Sequence, residues 1–235
     1  MVRTAAITIG TFREKSLHAA LKRHYARPGD EIEALLDGYC IDIRRGSGKR
    51  MQLIEIQTRS FSNIKPKLTK LLPKYRMTLV HPIAAEKWIV RYDADGVLIS
   101  RRRSPKRGQL EDLFAELVSL PDLALHPNLK IEIVLTHEEE IQREDGKGSW
   151  RRKGRSIYDR KLLEVVRVAQ FAKITDWLAL LPKTLPAAFT NRDLAQALGR
   201  PSYTAQRMTY CLCRMGVLDK VGKRGRSHVF GIRAG

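Results

Sequence analysis

Tyr39-Cys-Ile-Asp-Ile-Arg-Arg45 and Met51-Gln-Leu-Ile-Glu-Ile-Gln-Thr58 are two β-type runs joined by the turn sequence Gly46-Ser-Gly-Lys-Arg50. Residues two apart on a strand share a face, so Glu55 and Gln57 point together. If the turn pairs Arg45 with Arg50, Asp42 stands opposite Leu53, and directly opposed residues also share a face. Asp42, Glu55 and Gln57 then converge while Ile41, Ile43, Ile54 and Ile56 fill the other side. Carboxylates among isoleucines are costly unless paired or bound to a cation. Two of them at that separation suit Mg²⁺ (or Mn²⁺), a hard ion that takes oxygen ligands and keeps several waters. A meander whose acids are edge-strand or salt-bridge groups accounts for the same pattern without a metal.

Upstream, Ala5–Ile9 reads as a short strand and Phe12–Tyr25 as an amphipathic helix, with Leu17, Leu21 and Tyr25 at four-residue spacing. Arg27-Pro-Gly-Asp30 ends that helix. Glu31–Leu36 is a further strand, turned at Asp37-Gly38 into the Tyr39 run. Downstream, Pro66 sits in the first turn of a short basic helix, Lys65–Leu72. Helix, strand with Asp, strand with Glu-x-Gln, helix resembles the PD-(D/E)xK nuclease superfamily over about residues 1–90, and to Leu135 if the later strands extend the sheet. The resemblance implies a restriction-endonuclease-like mixed α/β sheet flanked by helices, and Mg²⁺-dependent hydrolysis of phosphodiester bonds. Asp42 and Glu55 would be the metal ligands, joined by the Ile56 carbonyl. Gln57 would orient water or phosphate, and Glu14 would be the helical acid seen in resolvase-like members. Gln57 stands where the family usually has lysine, and a neutral amide lacks that charge. Lys65 or Lys67 on the next helix is placed to substitute.

Beyond this segment, Met77–Ile83 reads as a buried strand. Lys87–Tyr92 and Val97–Arg102 form a hairpin over Asp93-Ala-Asp-Gly96. Gln109–Leu120 has a helical stripe of Leu110, Leu113, Phe114 and Leu117, and Lys130–Thr136 alternates as a strand. Glu144–Arg155 is an exposed loop or hairpin, Arg160–Leu180 reads as a helix, and Leu181–Ala187 is a break. The expected organisation is a nuclease-like domain over 1–140, a basic loop and connecting helix over 141–172, and a C-terminal unit over 173–235. In that last unit Thr190 caps a helix that Gly199 ends, and Arg200-Pro201 makes the turn. Ser202 caps a longer helix running to about Met215 and stopped by Gly216, and two strands flank Gly222-Lys-Arg-Gly-Arg-Ser227. This order resembles a winged helix-turn-helix, whose second helix enters the major groove. Ser202, Tyr203, Gln206, Arg207 and Tyr210 form its exposed face, and Lys223, Arg224 and Arg226 its basic wing.

Lys and Arg number 44 against 25 Asp and Glu in the 235 residues, a formal charge of +19. That excess suits a polyanion, because neutralised phosphates release counterions. Three patches join the wing: Lys65 and Lys67; Arg101, Arg102, Arg103, Lys106 and Arg107; and Arg151, Arg152 and Lys153 beside Trp150, an aromatic able to stack on an unpaired base. No apolar run reaches the roughly 20 residues a membrane helix needs. The first ten residues are too polar for a signal peptide. Cys40, Cys211 and Cys213 make neither a disulfide framework nor a zinc knuckle, so a reducing cytoplasm is expected. His81, His126 and His137 lack metal spacing, and neither a Walker loop nor a GxGxxG is present. The expected function is a Mg²⁺-dependent DNA endonuclease acting on double-stranded or branched DNA, with a homodimer left open. The alternatives are a non-catalytic DNA-binding regulator on the same scaffold and, less favoured, an RNA-binding protein.

Overall fold

The computed structural model describes residues 15–93, 95–150 and 154–233. The Ala5–Ile9 strand, Glu14, and Arg151, Arg152 and Lys153 fall outside them.

The first helix, α1 (Ser16–Tyr25), is followed by β1 (Glu31–Leu36), β2 (Tyr39–Arg45) and β3 (Gln52–Ile56). These three strands form an antiparallel meander. The tight turn between β1 and β2 has Asp37 at φ 48° and Gly38 at φ 83°, the left-handed pair that a two-residue hairpin requires. Helix α2 (Lys65–Leu71) carries the chain over to β4 (Arg76–Tyr92), which lies parallel to β3. Strand β5 (Leu98–Arg103) folds back on β4, and after α3 (Phe114–Leu117) comes β6 (Leu129–Arg143), again parallel to β4. Strand β7 (Ser156–Phe171) closes the sheet antiparallel to β6. Among the described residues these seven strands form one mixed sheet, ordered β1-β2-β3-β4-β6-β7 with β5 on β4.

Helix α1 covers one face: Leu17 and Leu21 bury against Ile43, Ile54, Ile56, Val80 and Val134. Its first turn has no cap of its own. Asp159 of β7 supplies one, accepting from the Ser16 amide at 3.1 Å and from the Ser16 hydroxyl. On the other face α2 and α3 contribute Leu68, Leu71, Phe114 and Leu117 to a larger cluster. Trp177 of α4 (Ile174–Leu178) is fully buried there, 4.8 Å from the Phe171 ring and 6.1 Å from that of Phe114. The remaining elements are β8 (Ala188–Thr190), α5 (Asn191–Leu198), α6 (Ser202–Arg214), β9 (Leu218–Arg224) and β10 (Ser227–Ile232). The three strands pair as β8-β10-β9. Phe189, Leu194, Met208, Leu212 and Phe230 run on into the same cluster, so the apolar interior is continuous from sheet to C-terminus.

Several expectations are corrected. Arg160–Leu180 is not a helix: its first part is β7, paired along nearly its whole length with β6. Leu162, Leu163, Val165, Val166 and Val168 fit a helical stripe and a strand alike, and the long-range pairing decides. Met77–Ile83 and Lys87–Tyr92 are one strand, with a register shift between Ala84 and Glu86 in place of a gap between two strands. Strand β6 runs seven residues past Thr136. Gln109–Leu120 divides into a 3₁₀ turn, Leu110–Leu113, and the single-turn α3. Ser202 is the first residue of α6, and Pro201 occupies the cap position.

Gly108 anchors the loop from β5 to α3. Its amide donates to the Ala84 carbonyl at 2.9 Å, and a Cβ there would stand 2.5 Å from that same oxygen. Gly108→Ala should cost about 1–3 kcal/mol by overpacking. Urea unfolding should show a lower midpoint with an unchanged m-value; an unchanged midpoint would mean that the loop is not held by this approach.

Candidate functional site

The two carboxylates meet, but by a different register from the expected one. Arg44, not Asp42, stands opposite Leu53, and Ile43 is paired with Ile54. The two-residue offset keeps the parity and brings Asp42 level with Glu55. The Asp42 amide donates to Glu55 Oε1 at 3.3 Å, and the Ile56 amide to Asp42 Oδ2 at 2.7 Å. A side chain thus takes the place of a rung of the ladder. The distortion coincides with Glu33, at φ 55°, between the Ile32–Ile43 and Ala34–Ile41 pairs. Left-handed geometry is unusual for a residue with a side chain, and Lys22 holds the Glu33 carboxylate at 2.8 Å. Past this kink Ile41 joins Leu53 in the larger cluster, while Ile43, Ile54 and Ile56 lie under α1. The four isoleucines therefore do not fill one side.

Each carboxylate has a cationic or proton-donating partner from a different helix. His18 of α1 places Nε2 3.2 Å from Asp42 Oδ2. Lys67 of α2 donates to Glu55 Oε1, and to the Cys40 carbonyl at 2.5 Å. Lys67 rather than Lys65 is therefore the lysine brought to Glu55, while Lys65 is exposed. Sequence reading missed His18, which has no spacing relation to Asp42. Its only signal is its position beside Leu17 on the flank of the apolar stripe. Gln57 turns its amide to the Ser60 carbonyl at 2.6 Å, and its own carbonyl accepts from His81 Nδ1 at 2.6 Å. The buried His81 is thus a structural partner of the strand end, and burial holds its pKa below the usual value.

Burial works to raise the Asp42 carboxyl, but the His18 hydrogen bond and charge, the Ile56 amide and Lys67 outweigh it and hold it below the ordinary range. Glu55 behaves oppositely: burial, against the pull of Lys67 and with the push of Asp42, raises it from 4.5 to about 7. One acid is thus held ionised and its neighbour poised near neutrality. Two carboxylates are a sufficient protein donor set for Mg²⁺, which keeps much of its water. Among the described residues no three His, Cys, Asp or Glu side chains gather as a ligand group.

The cationic residues are distributed unevenly. Arg101 and Arg103 flank the Trp88 ring at 5.3 and 5.9 Å and pair with Glu139 and Glu86, so both are partly committed. Arg102 and Lys106 are exposed, and Arg107 is half-buried. On α6, Ser202, Tyr203, Gln206, Arg207 and Tyr210 are exposed, while Ala205, Met208, Cys211 and Leu212 are buried. Lys223, Arg224 and Arg226 are exposed on the β9–β10 hairpin, with Arg224 3.1 Å from Asp193.

The chain is a mixed α/β protein built on one large mixed sheet flanked by helices. It belongs to the family described as "Domain of unknown function (DUF8091)", matched over residues 15–172, from the start of α1 to the end of β7. A relative from Treponema pallidum (strain Nichols), described as "Uncharacterized protein", is 34% identical over 224 residues, covering 95% of this chain and 87% of its own. No solved structure matches. Among the described residues no helix is long and apolar enough to cross a membrane.

The raised Glu55 pKa has a consequence for stability. A group titrating near 7 when folded and near 4.5 otherwise stabilises the fold fully below about pH 4.5, and that contribution is lost as pH rises through about 7. Glu55→Gln keeps the shape of the neutral acid. Its melting temperature should vary less between these limits than that of the wild type; an identical pH profile would contradict the assignment.

Proposed function

We propose that this protein is a DNA-binding phosphodiesterase of PD-(D/E)xK type, with the C-terminal unit acting as a winged helix. The observation that carries the nuclease reading is the meeting of Asp42, Glu55 and Lys67, supplied by β2, β3 and α2. Helix, strand with Asp, strand with Glu and helix follow in the expected order. Asp42 and Glu55, with the Ile56 carbonyl, would hold Mg²⁺ or Mn²⁺, which when bound activates water and neutralises phosphate charge. His18 orients Asp42 and favours its ionised form. Lys67 offers the positive charge that Gln57 cannot, close enough to Glu55 to serve a phosphate at the same point. Asp42→Ala and Lys67→Ala should each bring cleavage to background while DNA binding in EDTA persists. In the Lys67→Ala background, Gln57→Lys should restore part of it. Plasmid, linear, branched and single-stranded DNA are the substrates to try.

A non-catalytic regulator is the second reading, favoured by the Gln57 amide being tied to Ser60. It takes the lead if the wild type and Gln57→Lys leave every DNA intact and calorimetry finds no Mn²⁺ uptake dependent on Asp42.

Support for the winged helix comes from the C-terminal unit. Thr190 and Asp193 form a reciprocal capping box, Gly199 closes α5 at φ 61°, and α6 leads directly to the β9–β10 hairpin. The exposed α6 face would enter the major groove and the hairpin would reach phosphates. Lys223→Ala with Arg226→Ala should weaken duplex binding and reduce the slope of log K against log salt by roughly 0.9 per lost phosphate contact. An unchanged slope places the hairpin away from DNA.

A further inference from the structure

Past Gln57 the chain enters a cleft of about 460 Å³ between the sheet and α6. Arg59 and His81 line it on the side of the proposed site, Lys106 on the basic loop, Ala115 on α3, and Tyr203 and Arg207 on α6. We infer that this cleft receives unpaired nucleotides, so that the DNA bound is a duplex bearing a single-stranded tail or branch. The inference rests on the DNA-binding reading above and specifies its substrate.

Three observations carry it. The first is size. The volume falls within the roughly 300–1,000 Å³ of sites for small molecules, while a duplex with a major groove alone about 12 Å wide cannot enter. The second is charge. Every acid in the wall is already engaged: Glu140 with Lys87 at 2.5 Å, Glu116 with the Phe61 amide at 3.2 Å, and Asp112 with Arg200 and the Gln109 amide. Arg160 in turn is spent on the fully buried Glu138 at 2.7 Å. Glu116 keeps its charge, since its partner is a neutral amide, but among the described residues no acid pairs with Arg59, Lys106 or Arg207, so three cations stand against one acid and the net charge left for a ligand is positive. The third is the aromatic surface. Tyr203 is 57% exposed at the cleft, with the Arg207 guanidinium 5.4 Å from its ring centre. An exposed ring beside a cation is what an unstacked base packs on, whatever its identity. His81, also in the wall, donates a hydrogen bond from Nδ1 to the Gln57 carbonyl, tying the cleft wall to the strand end that bears Glu55. A strand lying in the cleft therefore leads towards Asp42 and Glu55.

The test uses the full chain in EDTA, with fluorescence anisotropy on a blunt duplex and on the same duplex carrying a short 3′ or 5′ tail. Wild type should bind one tailed form about tenfold more tightly than the blunt one, the gain expected from a single stacked base. Ala115→Trp fills the cleft without removing a charge, and Arg59→Ala removes an exposed cation. Both should melt as the wild type does and lose the tail preference while keeping blunt-duplex affinity. Equal binding of tailed and blunt DNA by wild type overturns the proposal, as does an equal loss on both DNAs in the two variants. Cleavage in Mg²⁺ separates the two readings. Tail preference without cleavage supports the cleft and sinks the nuclease, and cleavage without tail preference does the reverse.

Discussion

Strand β4 is hydrogen-bonded on both edges: to β6 from Met77 to Tyr92 on one side, and on the other to β3 near its start and to β5 near its end. A parallel pair of this length needs a long crossover, and the chain provides it through β5, the basic loop and α3. The strands bonded to it and the basic loop are placed by that spine. Strand β3 is set so that Glu55 lies beside Leu79, and the loop carrying Lys106 is pinned back onto Ala84 through Gly108. The shift at Ala84–Glu86 turns the far half of the strand, which then carries Lys87 and Trp88 beside the glutamates of β6. Packing and charge are thus divided along one strand. Its first half is core, and its second half is a scaffold for ion pairs.

The same division explains how the carboxylate pair is tolerated. An uncompensated acid as buried as Glu55 would cost several kcal/mol. Here Lys67 from one layer offsets only part of that cost, so Glu55 stays raised, while at Asp42 His18 from the other layer helps to outweigh burial. The pair sits where α1 and α2 each reach the sheet, so it depends on both cores. A change in either core would be felt as a change in the charge state of the acids.

Elements with local instructions could be read directly from the sequence. Helix α5 was placed by Thr190 and Gly199, the β1–β2 hairpin by Asp37-Gly38, and the exposed face of α6 by its apolar spacing. The convergence of Asp42 and Glu55 was also legible, because strand parity survives a two-residue error in register. What failed was non-local. Strand β7 carries a stripe compatible with a helix, and only its pairing with β6 makes it a strand. His18 is 24 residues from Asp42 and on another type of element, so no spacing rule could join them. The choice between Lys65 and Lys67 depended on the rotation of α2 about its axis, which packing of Leu68 and Leu71 sets.

Strand β7 has sixteen residues at the margin of the sheet, with Leu163, Val166 and Val168 exposed. A flat strand of that composition would be a template for other chains, adding strand upon strand until the protein left solution. Its ladder to β6 shifts register three times, between Leu135 and Thr136, His137 and Glu138, and Ile141 and Gln142. Each shift adds twist and breaks the even spacing that an incoming strand would have to match. Irregular pairing is thus a guard against self-association at an edge too apolar to be protected by charge alone.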